Sequence, residues 1–205
     1  MATTPDRLAW GTGDRVRAAA KLMAGWVALL WVLEVIDVST GHALDTFGVE
    51  PRQLGELRDV VPSAFIHFGF AHVASNSVPL LVFGFLAALS GIRRFAAVAA
   101  LIVVVDGLGV WLVAPAHTNT AGASGLVFGL FGYLLVRGFV DRRILDIGAG
   151  LLVGAVWGSS ILLGISPGNT GVSWQGHLFG LAAGVAAAFV FRRRATEPAP
   201  APLLQ

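Results

Sequence analysis

The chain alternates long apolar runs with short polar or basic segments. A helix that crosses the hydrocarbon core of a bilayer needs roughly 17 to 25 mostly apolar residues, and six runs come close to this length. The runs are continuous rather than alternating and are longer than a barrel strand, which disfavours a transmembrane β-barrel. The pattern therefore predicts an all-α polytopic membrane protein with six transmembrane helices, at residues 22–38, 64–89, 95–114, 121–136, 147–166 and 172–191.

The composition supports this prediction. Of the 205 residues, 56% are hydrophobic and 13% are charged, and the mean hydropathy is +0.76, so one soluble core could not bury the apolar side chains. The first apolar run follows basic residues, as a signal peptide does, but it carries Glu34 and Asp37 near its far end and lacks a small-residue cleavage site. We expect it to remain as a permanent helix.

Basic residues predict the orientation, because lysine and arginine are retained on the cytoplasmic side. Twelve of the 14 lie at one end of the predicted helices, and only Arg52 and Arg58 lie at the other. The protein is therefore expected in the cell membrane, with both termini in the cytoplasm. Arginine-rich helix ends that meet anionic lipid account for the sequence pI near 9.9, so no nucleic acid is expected as a partner. The predicted parts are a cytoplasmic segment at 1–21, the membrane domain at 22–191 and a disordered cytoplasmic tail at 192–205.

Few polar residues interrupt the apolar runs, and each is costly unless it faces the bundle interior or a wet cavity. Counted from the inner ends of their helices, with Arg137 as the reference for Ser124, the depths of Ser124, His177 and Asn76 are ~20, ~22 and ~21 Å. His72 lies one turn further out. Three predicted helices thus bring polar groups to one level, roughly 8 to 10 Å below the outer surface of a ~30 Å core.

These residue types suit covalent catalysis by an oxygen nucleophile, since cysteine is absent. A histidine on a neighbouring helix can take the proton of a serine, and Ser124 with His177 makes that pair. We expect a dyad, because the depth of Asp106, about 16 Å from the inner edge, leaves no carboxylate at the same level. His72 and Asn76 lie on one helix face and could donate to an oxyanion, as could the backbone amide of Ser124.

Glycines indicate how the helices come close together. Gly176, Gly180 and Gly184 are spaced by four residues in the sixth run, and three further glycines follow the serine in the fourth, at Gly125, Gly129 and Gly132. Small residues at such spacing let membrane helices approach each other. The segment 115–123 must dip inward for Ser124 to begin its helix below the surface, which is tolerated where backbone lines a wet cavity.

Taken in order, "HFGFAHVASN" at residues 67–76, "GASG" at 122–125 and "GHLFGLAAG" at 176–184 resemble the motifs of the rhomboid family of intramembrane serine proteases. The resemblance implies a rhomboid-like six-helix bundle that cleaves transmembrane protein substrates without a cofactor. It implies the Ser124–His177 dyad and the oxyanion donors named above. The supporting positions would be Gly122, Gly125, Gly180, Gly184, His67 and Arg58.

The chain departs from the family at two places: Leu57 precedes Arg58 where tryptophan is frequent, and Gly176 precedes His177 where alanine is usual. His67 is expected to be interfacial or structural, and Asp106 to be buried beside a helix partner. No metal is expected, because only His67 and His72 are neighbouring ligands and a zinc site needs three or four.

Two other classes of protein stay open as alternatives. One is a catalytically silent relative that only binds transmembrane helices, although such a protein would be expected to lack the serine or the histidine. The other is a small transporter, which would need a polar path to the cytoplasmic side, whereas the inner halves of the second, fourth and sixth runs are apolar.

Overall fold

The computed structural model describes residues 11–168 and 171–193, and within these ranges the chain is helical. Its α-helices are α1 (Thr12–Ser39), α2 (Phe70–Ala88), α3 (Ile92–Val113), α4 (Ser124–Val140), α5 (Ile144–Gly164) and α6 (Trp174–Val190). Three 3-10 helices, Ala43–Phe47, Leu54–Asp59 and Pro62–Phe65, lie between α1 and α2. In these ranges no strand is present, and Val49 and Thr120 form an isolated bridge. The all-helical prediction is confirmed.

Helix α4 is the centre of the bundle. Twelve of its 17 residues are buried, and it packs against α2, α3, α5 and α6. Helix α5 is peripheral by comparison, since only four of its 21 residues are buried. Glycines explain the central place of α4, because a Cβ on Gly125 would meet Asp106 of α3 and one on Gly132 would meet Leu181 of α6.

Four helices, α1, α2, α3 and α5, are long and apolar enough to cross a membrane. Helices α4 and α6 are equally apolar but have 17 residues each. The protein is therefore an integral membrane protein by the length and composition of its helices.

The two ends of the bundle differ in character. Segments 40–69, 114–123, 165–168 and 171–173 meet at one end, which we call the loop end. There the amide of Gly122 donates to the carbonyl of Ser63 at 2.9 Å. Charged pairs close the opposite end. Arg94 binds Asp141 at 2.7 Å, and Arg137 binds Asp146 at 3.0 Å.

Asp141 joins three helices at that opposite end. Its carboxylate also accepts the backbone amide of Arg193 at 2.9 Å. Burial by itself would raise the pKa of Asp141, but the hydrogen bonds from Arg94 and Arg193 outweigh it and lower the pKa below its ordinary value. The connection after α4 is thus held to α3 and to the end of α6.

Three predicted boundaries were wrong. The second run was predicted as one helix from 64 to 89, but α2 begins at Phe70, after Gly69 at φ +105°, a backbone conformation that other residues rarely adopt. Helix α1 begins at Thr12 rather than 22, because arginine and lysine are good helix formers. Arg137 lies inside α4 and is buried, so it does not mark the helix end. The predicted tail lies outside the described residues from 194 onward, as does the N-terminal segment before residue 11.

Candidate active site

A cavity of about 890 Å³ lies at the loop end and collects the predicted polar residues. Ser124 comes from α4, His177 from α6, and His72 with Asn76 from α2. Arg137 was an incorrect reference for the depth of Ser124, because it lies inside α4, yet the four side chains do line one cavity. Their meeting follows from the packing of α2 and α6 on the central helix α4.

Ser124 is the first residue of α4, and the backbone before it is closely held. Gly122 has φ +133°, and a Cβ at this position would lie 2.8 Å from His72 Cε1. The same hypothetical atom would lie 3.7 Å from Ser124 Oγ. Glycine is therefore required here on two grounds, and it lets the ring of His72 approach the serine. The first amides of a helix have no partner within it, so those of α4 can bind an anion.

His177 has a defined orientation in the first turn of α6. Its Nδ1 lies 2.8 Å from the carbonyl oxygen of Gly164, which can only accept, so Nδ1 carries the proton. Its ring stacks on Phe128, with centroids 4.0 Å apart and planes 10° apart. Nε2 of the neutral ring is consequently unprotonated and able to accept a proton. Ser124 Oγ and Nε2 are not hydrogen-bonded in the described residues, and such bonds are often long before substrate binds.

The donors on α2 are also oriented. His72 Nδ1 accepts the backbone amide of Phe68 at 3.3 Å, which places the ring proton on Nε2, the atom that would lie 2.9 Å from a Cβ on Gly122. Asn76 is buried and donates one amide hydrogen to the carbonyl of His72 at 3.1 Å. Its second amide hydrogen is left for another acceptor.

Residues 54–194 match the family model described as Rhomboid domain, which covers more than half of the chain. The chain belongs to the rhomboid family. A protein of Mycobacterium tuberculosis that is itself uncharacterised is 43% identical over 173 residues, which cover 80% of this rhomboid and 72% of that protein. An uncharacterised protein of Mycobacterium leprae is 37% identical over 195 residues, covering 91% and 74%. A Bacillus subtilis protein named "Putative rhomboid protease" is 26% identical over 155 residues, covering 75% and 74%.

His67 holds the backbone in front of the serine of this rhomboid. It is buried, and its Nε2 accepts the amide of Ala123 at 3.2 Å. Its ring meets that of His72 edge to face, with centroids 5.0 Å apart. The prediction of a structural histidine agrees with this contact, but the residue precedes α2 rather than lying on it, because Gly69 interrupts the helix.

Arg58 lies away from the cavity. It belongs to the 3-10 helix Leu54–Asp59, its side chain is 76% exposed, and it binds the buried carboxylate of Asp59 at 3.2 Å.

Other loop residues connect this region to the end of α3. The guanidinium of Arg52 donates to the carbonyl of Ala114 at 2.8 Å, and Trp111 Nε1 donates to the carbonyl of Gln53 at 2.8 Å. Arg58 thus has a local role in the first loop.

Glycines let α4 and α6 of the rhomboid touch backbone to backbone. A Cβ at Gly180 would lie 2.9 Å from the carbonyl carbon of Gly125, and one at Gly184 would lie 2.8 Å from Cα of Gly129. Real side chains do not approach so closely. The prediction that these helices meet through small faces is confirmed.

Sequence reasoning missed a carboxyl group beside the cavity. Asp106 of α3 lines it, with its carboxyl against the Cα of Gly125 and its Oδ1 2.9 Å from a Cβ built on Gly176. The expected helix partner is not found, since Oδ1 is buried without a hydrogen-bond partner among the described residues. Depth counted along one helix cannot show that the first turns of two other helices pack against Asp106. The lack of a side chain at both Gly125 and Gly176 is the signal that could have indicated the contact.

Proposed function

We propose that this rhomboid is an intramembrane serine endopeptidase that hydrolyses peptide bonds in or near the outer part of substrate transmembrane helices. The observation that carries the proposal is that Ser124 and His177 line one cavity. Ser124 begins the central helix α4, and His177 presents an unprotonated Nε2 because the carbonyl of Gly164 accepts the proton of Nδ1. Membership of the rhomboid family supports the same reaction.

In this mechanism His177 Nε2 takes the proton of Ser124 as Oγ attacks the carbonyl carbon of the substrate. The C–O π electrons move onto oxygen, and the resulting oxyanion accepts hydrogen bonds from His72 Nε2, Asn76 Nδ2 and the Ser124 amide. The histidine then returns its proton to the leaving amine as the C–N bond breaks. Water, deprotonated by His177 Nε2, then attacks the acyl carbon. The bond between that carbon and Ser124 Oγ breaks, Nε2 returns the proton to Oγ, and the second product leaves with a new carboxyl group.

The cavity also has an apolar side suited to a membrane segment. Pro79 and Phe83 of α2 and Trp157 and Ile161 of α5 line it there. The ring centroids of Phe83 and Trp157 are 5.2 Å apart, in an edge-to-face arrangement. A substrate helix shields its carbonyls in its own hydrogen bonds, so it must unwind locally before Ser124 can attack. Transmembrane proteins are therefore the proposed substrates, and no cofactor is needed.

The proposed topology has six membrane spans and both termini in the cytoplasm. Helices α4 and α6 are short because protein surrounds much of each, so neither has to match the bilayer alone. A reporter fused after Gln205 is expected to be cytoplasmic, and a tag in loop 39–63 is expected to be accessible from outside. An external C-terminus would refute the orientation.

The function is tested by labelling the purified protein with a serine-reactive phosphonate and by cleavage of a transmembrane peptide. Ser124→Ala should abolish labelling and cleavage, and His177→Ala should abolish nearly all of both. Ser160→Ala is the matched control, because Ser160 lines the same cavity from α5, and it should behave as wild type. Cleavage near the wild-type rate in either dyad variant would refute the mechanism. A wild-type protein that binds the peptide but neither cleaves it nor takes the label would indicate the catalytically silent alternative.

A further inference from the structure

A cluster of potential metal ligands lies at the loop end of α1, apart from the candidate active site. It consists of Asp37 in the last turn of α1, His42 in the following turn and Asp45 in the 3-10 helix Ala43–Phe47. One ligand atom from each lies within 4.8 Å of the others. His42 Nδ1 is 2.8 Å from Asp37 Oδ2 and 3.8 Å from Asp45 Oδ2.

The backbone fixes this cluster in place. The amide of Leu44 donates to Asp37 Oδ1 at 2.8 Å, and the amide of His42 donates to the carbonyl of Asp37 at 2.8 Å. His42 has φ +65°, a left-handed conformation that is unfavourable for its side chain. The chain thus wraps around one carboxylate oxygen of Asp37 and leaves the other directed at the imidazole.

A second observation points to a missing positive charge. Glu34 lies one turn before Asp37 on the same face of α1 and is 1% exposed. Both of its carboxylate oxygens are buried without a hydrogen bond of ordinary geometry among the described residues, although the backbone amide of Gly69 acts on the carboxyl group. Asp45 Oδ1 is likewise buried without a partner in the described part of the chain.

The cluster is therefore short of positive charge. It contains three carboxylates and one imidazole, and no lysine or arginine among the described residues forms an ion pair with any of them. Buried charges without compensation are strongly destabilising. With all three carboxyl groups ionised, even a protonated His42 would leave two negative charges in excess.

We propose that Asp37, His42 and Asp45, with Glu34 as a fourth ligand or nearby counter-charge, bind one divalent transition-metal cation of the zinc type. An imidazole nitrogen combined with carboxylate oxygens suits Zn²⁺, whereas Ca²⁺ and Mg²⁺ prefer oxygen ligands alone. Asp37, His42 and Asp45 lie within nine residues of sequence, whereas the expectation of no metal considered only His67 and His72. The cation replaces the proton between His42 and Asp37.

The position gives such a cation a structural effect. The backbone carbonyl of Asp45 accepts Asn119 Nδ2 at 2.8 Å, and Val49 pairs with Thr120 in the bridge between the two loops. Asn119 and Thr120 belong to the segment that leads into Ser124. A metal ion at Asp45 therefore ties the end of α1 to the loop in front of the serine. This effect on stability does not depend on the proposed proteolytic reaction.

The test is Zn²⁺ binding by the full chain, purified in detergent without a histidine tag and stripped with a chelator. Wild type is expected to bind one Zn²⁺ in calorimetric titration, with a raised Tm, and to bind Ca²⁺ and Mg²⁺ at least tenfold more weakly. His42→Asn should weaken Zn²⁺ binding at least tenfold. His117→Asn is the matched control, since His117 is an exposed loop histidine with φ +64°, and asparagine tolerates this conformation at both positions. Wild-type affinity in His42→Asn, or no binding by wild type, would overturn the proposal.

Glu34→Gln separates the metal site from a simple salt bridge. It keeps the shape of the side chain and removes one unpaired negative charge. We expect it to raise the Tm of the metal-free protein and to reduce the further rise that Zn²⁺ produces. If His42 were only an ion-pair partner of Asp37, Zn²⁺ would leave the Tm of wild type and Glu34→Gln unchanged, which would overturn the proposal.

Discussion

The contact between Gly180 and Gly125 offers a direct test of how α6 positions the serine. In Gly180→Ala the new Cβ would lie 2.9 Å from the carbonyl carbon of Gly125 and 3.1 Å from its Cα, and still closer to its oxygen. Carbon atoms prefer a separation of about 3.5 to 4.0 Å. The contact with the oxygen is the shortest, so the helices must separate by about 1 Å or more at the residue that follows Ser124.

Two effects of different size follow from this separation. Overpacking a well-packed core costs about 1 to 3 kcal/mol, so the Tm of Gly180→Ala should fall. A displacement of about 1 Å in a reacting group can cost about 100-fold in rate, so cleavage and phosphonate labelling should fall far more than stability does. Both rates are measured at a temperature where the variant is fully folded, alongside thermal unfolding in the same detergent.

Gly158→Ala is the matched control for this experiment. Gly158 lies within α5, and a Cβ there would meet no atom within 4 Å. The change should leave labelling unaltered and stabilise the helix by up to about 1 kcal/mol. Wild-type labelling in Gly180→Ala would refute the argument that this glycine contact positions Ser124.

Three further outcomes are expected. Asn76→Ala should lose roughly 10²- to 10³-fold in cleavage rate while remaining folded, because two other oxyanion donors remain; a loss as complete as that of Ser124→Ala would assign it a different role. Asp141→Asn should lower the Tm at neutral pH. The difference in Tm from wild type should shrink only as the pH falls below 3.8, the ordinary pKa of aspartate, because the lowered pKa of Asp141 keeps its carboxylate charged above that pH. Equal Tm values at neutral pH would contradict this. Replacing glycine or proline by leucine in the outer third of a cleaved substrate helix should slow cleavage several-fold. Glycine and proline ease unwinding of a helix by about 1 and 3 kcal/mol relative to alanine. Equal sensitivity to the same change near the cytoplasmic end would contradict a site at the loop end.

The sequence predicted the helices well, because a long apolar run determines its own structure in a bilayer without distant contacts. It predicted the residues of the cavity because polar groups in such runs must face one another or water. The start of α2 was missed for a local reason. The stretch from Ala64 to Phe70 is almost wholly apolar, so only the backbone shows that Gly69 interrupts it.

Other features needed the third dimension. The approach of Asp106 to Gly125 depends on how α3 leans against α4, which no count along one helix supplies. Arg137 was read as the end of a membrane span, yet Asp146 of the next helix pairs with it inside the bundle. The free-energy cost of burying an arginine depends on where its acidic partner lies, so it cannot be judged from the sequence position of the arginine alone.

The central place of α4 has a consequence for how the protein is made. A chain emerges from its N-terminus, so α4 enters the membrane before α5 and α6 exist. Until then Gly132 lacks its contacts with Leu181 and Val185 of α6, and Arg137 lacks its partner Asp146 of α5. His177 arrives with α6, the last of these helices. Under the proposed mechanism Ser124 therefore has no base until α6 has been synthesised, and a partly made chain is expected to have no proteolytic activity.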